Sequence, residues 1–297
     1  MSARKKLLIT GASGFVGRNL AASPLAESYQ LLCPSHAELD LTDTAAVDAY
    51  FAAQGPDLVV HCGGKPGHRN APDHEGLLRD NTRMFHNLAR HEEGLERLVV
   101  IGSGGVYGAA HYRPKMAEGY FAAHVPADTH GLTQYLCEQH AARSRNIVTL
   151  RLFGLFGPGE DYAIRFISNL MCKAVKGLPL TMKQDRLFDY LWIGDLAPVL
   201  GWCLAQPPAH KAYNVTPDRA VPLRWLAEQI RALSGKDLPI TVREAGLGPE
   251  YSGDNARLRR DFPAFSPTPF EKSLPELYRW YSGRADAIAT EALLHDK

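Results

Sequence analysis

The chain has 297 residues, 45% of them hydrophobic and 22% charged, with a formal net charge of +1. This suits one large or two modest soluble domains with a real core, and it leaves no electrostatic footprint for nucleic acid or an anionic membrane surface. No apolar run approaches the roughly 20 residues of a bilayer span, and the charged N-terminus leads straight into a strand, not into a signal-peptide core.

The first apolar run, Lys6–Thr10, reads as a buried strand. It runs into Thr10-Gly11-Ala12-Ser13-Gly14-Phe15-Val16-Gly17, after which residues 18–22 can continue as a helix. Strand, glycine turn and helix in that order form a dinucleotide cradle. Gly11 allows the tight turn, Gly14 lets a pyrophosphate approach the backbone, and Gly17 lets the helix pack close to the sheet. Expected cofactor contacts are Gly11, Ser13, Gly14, Phe15, Val16 and Gly17, the amides of Phe15 and Val16 facing the phosphates.

Residues 30–33 form the second expected strand. NAD-preferring cradles place an acidic residue at its end, about 20 residues beyond the glycines. Cys33-Pro34-Ser35-His36 has none there; Ser35 and His36 suit a 2′-phosphate, which favours NADP over NAD, although His36 reads equally as a surface loop residue. Residues 42–54 carry Ala46, Val47, Tyr50 and Phe51 at helical spacing, with Asp43 or Thr42 as cap. A strand over 57–62 ends in Cys62-Gly63-Gly64, which leaves room for the cofactor's backbone. Then come a helix over 75–93, the strand Arg97–Ser103, a helix over 129–143 and a strand over 147–153. Alternating strands and helices predict an α/β Rossmann fold, a doubly wound parallel sheet covered on both faces.

The second half opens at Gly157-Pro158-Gly159 and shows helices over 162–176, 195–205 and Leu223–Ser234, with frequent prolines from Pro207 onward. It reads as a smaller mixed domain over residues 156–297, closing on the carboxyl edge of a 1–155 dinucleotide domain, with 188–205 able to return to the first. The tail after Tyr281 reads as a last helix or a frayed end. Five scattered cysteines form no Cys-x-x-Cys pair, which argues against zinc and disulfides and suits a reducing cytoplasm. His68, His86, His91 and His140 lack metal-ligand spacing and read as surface or capped residues.

These landmarks, with Asp40-Leu41, Asn81, Gly102-Ser103, Val106-Tyr107-Gly108, Arg151 and Tyr213-Asn214-Val215, resemble the extended short-chain dehydrogenase/reductases of the NAD-dependent epimerase/dehydratase family. The likeness covers nearly the whole chain, and the stretch from His36 to Leu41 is similar to the GDP-L-fucose synthase group. The resemblance implies a Rossmann domain plus a nucleotide-sugar domain, NADP or NAD as cofactor, a nucleotide-sugar substrate, and a homodimer formed by the helices over 75–93 and 129–143. It also places Asp40 and Leu41 beside the adenine, and it gives Tyr107 a structural role.

The resembled Tyr-x-x-x-Lys signature is altered: Ser103 stands at the catalytic serine, His130 at the tyrosine and Gln134 at the lysine. An i, i+4 pair shares one helical face, so His130 and Gln134 can both point at a bound nicotinamide. His130 can carry a proton; Gln134 cannot lower a phenol's pKa, but its amide can bond ribose hydroxyls. Tyr135 faces about 100° away and is a poor replacement. On the substrate side, Gly104 and Gly105 stand where relatives carry a cysteine or carboxylates, Gly154 replaces an asparagine, and Phe188 replaces an arginine that Arg186, on the same strand face, could supply. Asp254 and Arg257 match late substrate-phosphate contacts, Arg257 reading equally as a solvated charge. Two functions stay open: a ketoreductase or epimerase-like enzyme using Ser103, His130 and Gln134, or a dinucleotide-binding sensor or scaffold without turnover.

Overall fold

A computed structural model describes residues 4–67 and 75–294, so His68 lies outside the described residues. In chain order the strands are β1 (Lys6–Thr10), β2 (Gln30–Leu32), β3 (Leu58–His61), β4 (Arg97–Ser103), β5 (Ile147–Leu152), β6 (Leu155–Phe156), β7 (Leu180–Asp185), β8 (Leu187–Phe188), β9 (Leu191–Trp192), β10 (Ala212–Val215), β11 (Val221–Pro222) and β12 (Ile240–Leu247). The helices are α1 (Phe15–Ala21), α2 (Leu25–Ser28), α3 (Thr44–Gln54), α4 (Leu77–Ala89), α5 (Thr129–Ala141), α6 (Phe166–Lys176), α7 (Leu196–Ala205), α8 (Leu223–Ser234), α9 (Ala256–Asp261) and α10 (Phe270–Ser282).

A six-stranded sheet runs in the order β10-β5-β4-β3-β1-β2, with every pairing parallel. Both faces are covered, so every residue of β3 and β5 is buried, the polar His61, Thr149 and Arg151 included. Alternation along β1 sends Leu7 and Ile9 into one core with Leu200, Leu226 and Leu277, while Leu8 joins Val47, Phe85 and Leu88 on the other face. The strand order reverses between β1 and β3, which opens a crevice at their carboxyl ends.

The chain leaves the sheet after β5 and returns: β10 pairs with β5, Tyr213 opposite Leu150, and α7 packs on β4. Between and after these excursions lie three two-stranded sheets, β7 with β12, β8 with β11 and β6 with β9.

Several boundaries differ from the sequence expectation. The helix expected over 75–93 is Leu77–Ala89, because Gly76 adopts φ 75° at its N-cap. Asp43, not Thr42, caps α3, accepting from the amides of Ala45 and Ala46 at 2.9 and 3.1 Å. After Tyr281 the described residues, as far as Leu294, form no continuous helix but dock through buried Ile288 and Leu293. Among the described residues no helix is long and apolar enough to cross a membrane.

Candidate functional site

The crevice begins at the glycine turn. Gly11 has φ +67°, and a Cβ there would lie 2.7 Å from Cα of Gly63. A Cβ on Gly17 would collide with the Gly11 carbonyl, so β1, the turn and α1 close up only around glycine. Gly14 donates to that carbonyl at 2.9 Å and serves as N-cap of α1. No side chain caps this helix and its first turn holds no acid, so its leading amides are left for an anion.

A cavity of about 420 Å³ runs from Gly11 and Ser13 past His36, Asp40 and Leu41 to Gly63 and Gly64. A second, of about 170 Å³, shares Gly63, Gly64 and Lys65 and reaches Cys62, Asn81, His130 and Gln134. Together they make one trough along the crevice. Asn81 clamps its floor, accepting from the Lys65 amide at 2.6 Å and donating to the Lys65 carbonyl at 3.1 Å. Below it, Thr10 Oγ1 lies 2.8 Å from Nδ1 of His61, whose imidazole is pushed down to about 4 by burial. A separate hollow of about 510 Å³, walled by Pro24, Pro158, Trp192 and Pro198, contains none of the candidate residues.

At the outer end of the trough, Ser35 is not free. Its amide and hydroxyl both donate to the Glu38 carboxylate, at 2.7 and 2.8 Å, which holds that carboxyl below its usual range. Arg18, Ser35 and Glu38 line the same shallow depression beside Ser13. Asp40 accepts from the amide and hydroxyl of Thr42, at 2.8 and 2.7 Å, and Leu41 is buried. Sequence reading placed no acid at this edge, because Glu38 reaches it by folding back through a turn.

At the inner end, Asp128 caps α5 by accepting from the Gly131 amide at 2.8 Å. A Cβ built on Gly105 would lie 3.3 Å from the His130 ring and 3.4 Å from Ser103 Oγ, so both groups face one small space. A Cβ on Gly102 would meet Gln134 Oε1 at 3.5 Å, which sets that amide over the end of β4. Burial, opposed by the Asp128 carboxylate, lowers the His130 pKa, so the ring is neutral at pH 7.

The remaining substrate-side candidates separate. Gly154 is packed under Tyr190 and Phe188, where a Cβ would lie 2.7 and 2.8 Å from their rings, so no side chain fits. Arg186 donates from Nε to the Pro249 carbonyl at 2.8 Å, and its charge is felt at Tyr112 and Tyr190. Arg257 turns inward: Nη1 donates to the Ala212 carbonyl at 3.0 Å and Nε lies 3.7 Å from Glu118. Asp254 accepts from the Ala256 amide, at 2.8 Å, where α9 begins. Tyr107 donates to Asn214 at 2.7 Å and accepts from Arg151 at 2.6 Å, a buried bridge in the interior. Tyr251, for which the sequence carries no signal, brings its phenol to Ser103 and Tyr112.

Comparison with known proteins accords with this geometry. The chain is similar to GDP-L-fucose synthase of Azorhizobium caulinodans, 33% identical over 175 residues, which span 54% of this chain and 55% of that relative. It thus covers about half the length of that protein. GDP-L-fucose synthase 1 of Arabidopsis thaliana is 30% identical over 260 residues, 77% of this chain and 78% of the relative. Among solved structures, a GDP-L-fucose synthetase from Naegleria fowleri bound to NADP superposes with a TM-score of 0.83 at 18% identity, over 96% of this chain and 95% of that one, a likeness of fold. Residues 7–216 match the model of the NAD dependent epimerase/dehydratase family. With the glycine cradle, the parallel sheet and this match in agreement, the chain belongs to the NAD-dependent epimerase/dehydratase family.

Proposed function

We propose that this chain is an NAD(P)-dependent enzyme that modifies a nucleotide sugar, as a ketoreductase or an epimerase-like variant. The observation that carries the reading is the single trough that begins at the glycine cradle and ends on His130 and Gln134, with Ser103 facing the space beside His130. The cradle fits NADP or NAD, because Gly11 and Gly17 let β1, the turn and α1 close up and the start of α1, with no side-chain cap and no acid in its first turn, is left for a phosphate. When bound, that cofactor supplies or takes the hydride at the reacting carbon.

The chain's own residues do the rest. The amides of Phe15 and Val16 hold the pyrophosphate, Asp40 and Leu41 border the adenine end, and the Gln134 amide bonds the ribose. Ser103 donates a hydrogen bond to the sugar oxygen, and neutral His130 orients the reacting hydroxyl. Arg186, beside Tyr112 and Tyr190, meets the substrate's diphosphate. Residues 1–155 serve the cofactor and 156–297 the nucleotide sugar, with the 188–205 stretch returning toward the sheet. The names of the relatives, GDP-L-fucose synthases, support a nucleotide-sugar substrate. Two copies pair through α4 and α5, which pack side by side and leave Leu136 exposed. Cysteines that form no disulfide suit the cytoplasm.

The test is cofactor consumption with a panel of nucleotide sugars. His130→Ala should lower kcat with little change in cofactor affinity. The altered His130/Gln134 pair favours one rival, a dinucleotide-binding sensor; a parent that binds cofactor yet turns over no sugar would establish it. His130→Tyr with Gln134→Lys should retain activity on the parent's substrate without creating an efficient ordinary epimerase, because substrate positioning supplies much of the rate.

A further inference from the structure

Helix α5 presents no phenol at the position of His130, but one arrives from the other half of the chain. The segment carrying Tyr251 is stitched on both sides. Tyr251 N donates to the Leu187 carbonyl at 3.0 Å, Gly253 N to Asp189 at 2.7 Å, and Met116 N to the Ser252 carbonyl at 2.9 Å. These bonds hold the Tyr251 phenol against the end of β4, where its hydroxyl comes beside the side chains of Ser103 and Tyr112. The rings of Tyr112, Phe188 and Phe153 surround it, with centroids at 4.7, 4.9 and 5.1 Å.

Glycine at 104 makes this approach possible. A Cβ there would lie 2.7 Å from the Tyr251 hydroxyl and 2.7 Å from the Phe153 ring. Gly105 leaves room in the same way for His130 and Ser103. The two glycines after Ser103 are therefore not merely blanks in the site; they clear the space that Tyr251 and His130 occupy.

We propose that Ser103, Tyr251 and Tyr112 form a hydroxyl relay for the proton exchanged at the substrate oxygen. Ser103 is the catalytic group that touches that oxygen, and Tyr251 is the positioning residue that resupplies its proton. The inference rests on the nucleotide-sugar reading above. Each hydroxyl donates one hydrogen and accepts another, so a concerted shift leaves all three neutral. In the reductive direction the carbonyl carbon gains a hydride from the dihydronicotinamide cofactor, and its oxygen takes the Ser103 proton. Ser103 Oγ then takes the Tyr251 proton, the Tyr251 oxygen takes that of Tyr112, and half-buried Tyr112 takes one from water. One hydride and one solvent proton enter the substrate, and no residue is changed; oxidation runs the same chain backwards. Burial pushes the Tyr251 phenol well above its ordinary value, which keeps the hydrogen on it at neutral pH.

Tyr251→Phe keeps the ring and deletes only the hydroxyl. It should lower kcat by about 100-fold or more, within the range of general acid–base groups, while KM and cofactor affinity stay at parental values. Tyr112→Phe should give a smaller loss and a changed solvent deuterium isotope effect. Gly104→Ala, which crowds the phenol without removing it, should reproduce the Tyr251→Phe loss. In cofactor-free protein labelled at tyrosine Cζ with carbon-13, Ser103→Ala should shift the Tyr251 resonance. An active parent whose Tyr251→Phe variant keeps full kcat overturns the relay and leaves the enzyme reading standing. A Tyr251 resonance unmoved by Ser103→Ala also overturns it. A parent that binds cofactor but converts no nucleotide sugar defeats the enzyme reading, and the relay with it.

Discussion

The carboxylate of Glu138, on α5, is paired with the guanidinium of Arg151, on β5, and the two side chains are only 5% and 2% exposed. Nε of Arg151 donates to both carboxylate oxygens, at 2.9 and 3.1 Å, and Nη1 donates to the Tyr107 hydroxyl. His130, Gln134 and Glu138 follow one another by a single helical turn, so this pair sets the rotation of α5 and the aim of both site residues. Glu138→Gln would leave the guanidinium buried beside an uncharged partner. Such a break costs about 3–5 kcal/mol, so urea unfolding should show a loss of that size. A loss below about 1 kcal/mol, the worth of a surface pair, would mean that the network repairs itself.

The cradle prediction concerns backbone space. A Cβ on Gly14 would lie 3.2 Å from the Gly11 carbonyl, on the side from which a phosphate approaches the helix. Gly14→Val should abolish binding of NADPH and NADH alike in calorimetry, with little change in far-UV circular dichroism. Parental affinity in this variant would remove the cradle from the cofactor site.

Cofactor choice should respond to the edge near Ser35. Glu38 takes both hydrogen-bond donors of Ser35, so its carboxylate stands where a 2′-phosphate would seek them. Glu38→Gln should move the ratio of NADP to NAD affinity toward NADP, and His36→Asp should move it toward NAD, by removing or adding like-charge repulsion. If both ratios stay at the parental value, the 2′-position binds elsewhere.

Stability should fall on the acid side through His61. Its folded pKa of about 4 lies below the ordinary 6.5, because burial disfavours the charged ring. The unfolded chain therefore binds the proton first. The stability this residue contributes is complete above pH 6.5 and is lost as pH falls toward 4, by about 3 kcal/mol at most. His61→Gln retains a partner for Thr10 and removes the titration. Its unfolding free energy should therefore depend less on pH across that window, as chemical denaturation at several pH values would reveal.

Much of the scaffold is legible along the chain because its signals are local. The run Lys6–Thr10, the three glycines and the following helix announce the cradle through period and turn chemistry alone. Helix α8 keeps its expected bounds, Leu223–Ser234, since its apolar stripe faces the core and Gly235 ends it at φ 64°. Strand β12 was not legible: most of its residues are exposed, so it carries little burial pattern, and its existence depends on pairing with β7. In α10, Pro275 interrupts the pattern that would announce a helix.

The site divides along the same line. The i, i+4 spacing by itself puts His130 and Gln134 on one face of α5, and β4 ends at Ser103 as its pattern predicts. Which groups meet them is another matter. The Ser35–Glu38 contact spans only three residues and is local turn chemistry, whereas Arg257 joins Glu118 only because α9 packs on β10, and Tyr251 meets Ser103 only because its segment bridges to Phe188 and Met116. Period and turn chemistry act over a few residues and can be read from them. Contacts between groups far apart in the chain depend on strand register and on the space that Gly104 and Gly105 leave open, which exist only once the sheet and its second layer have packed.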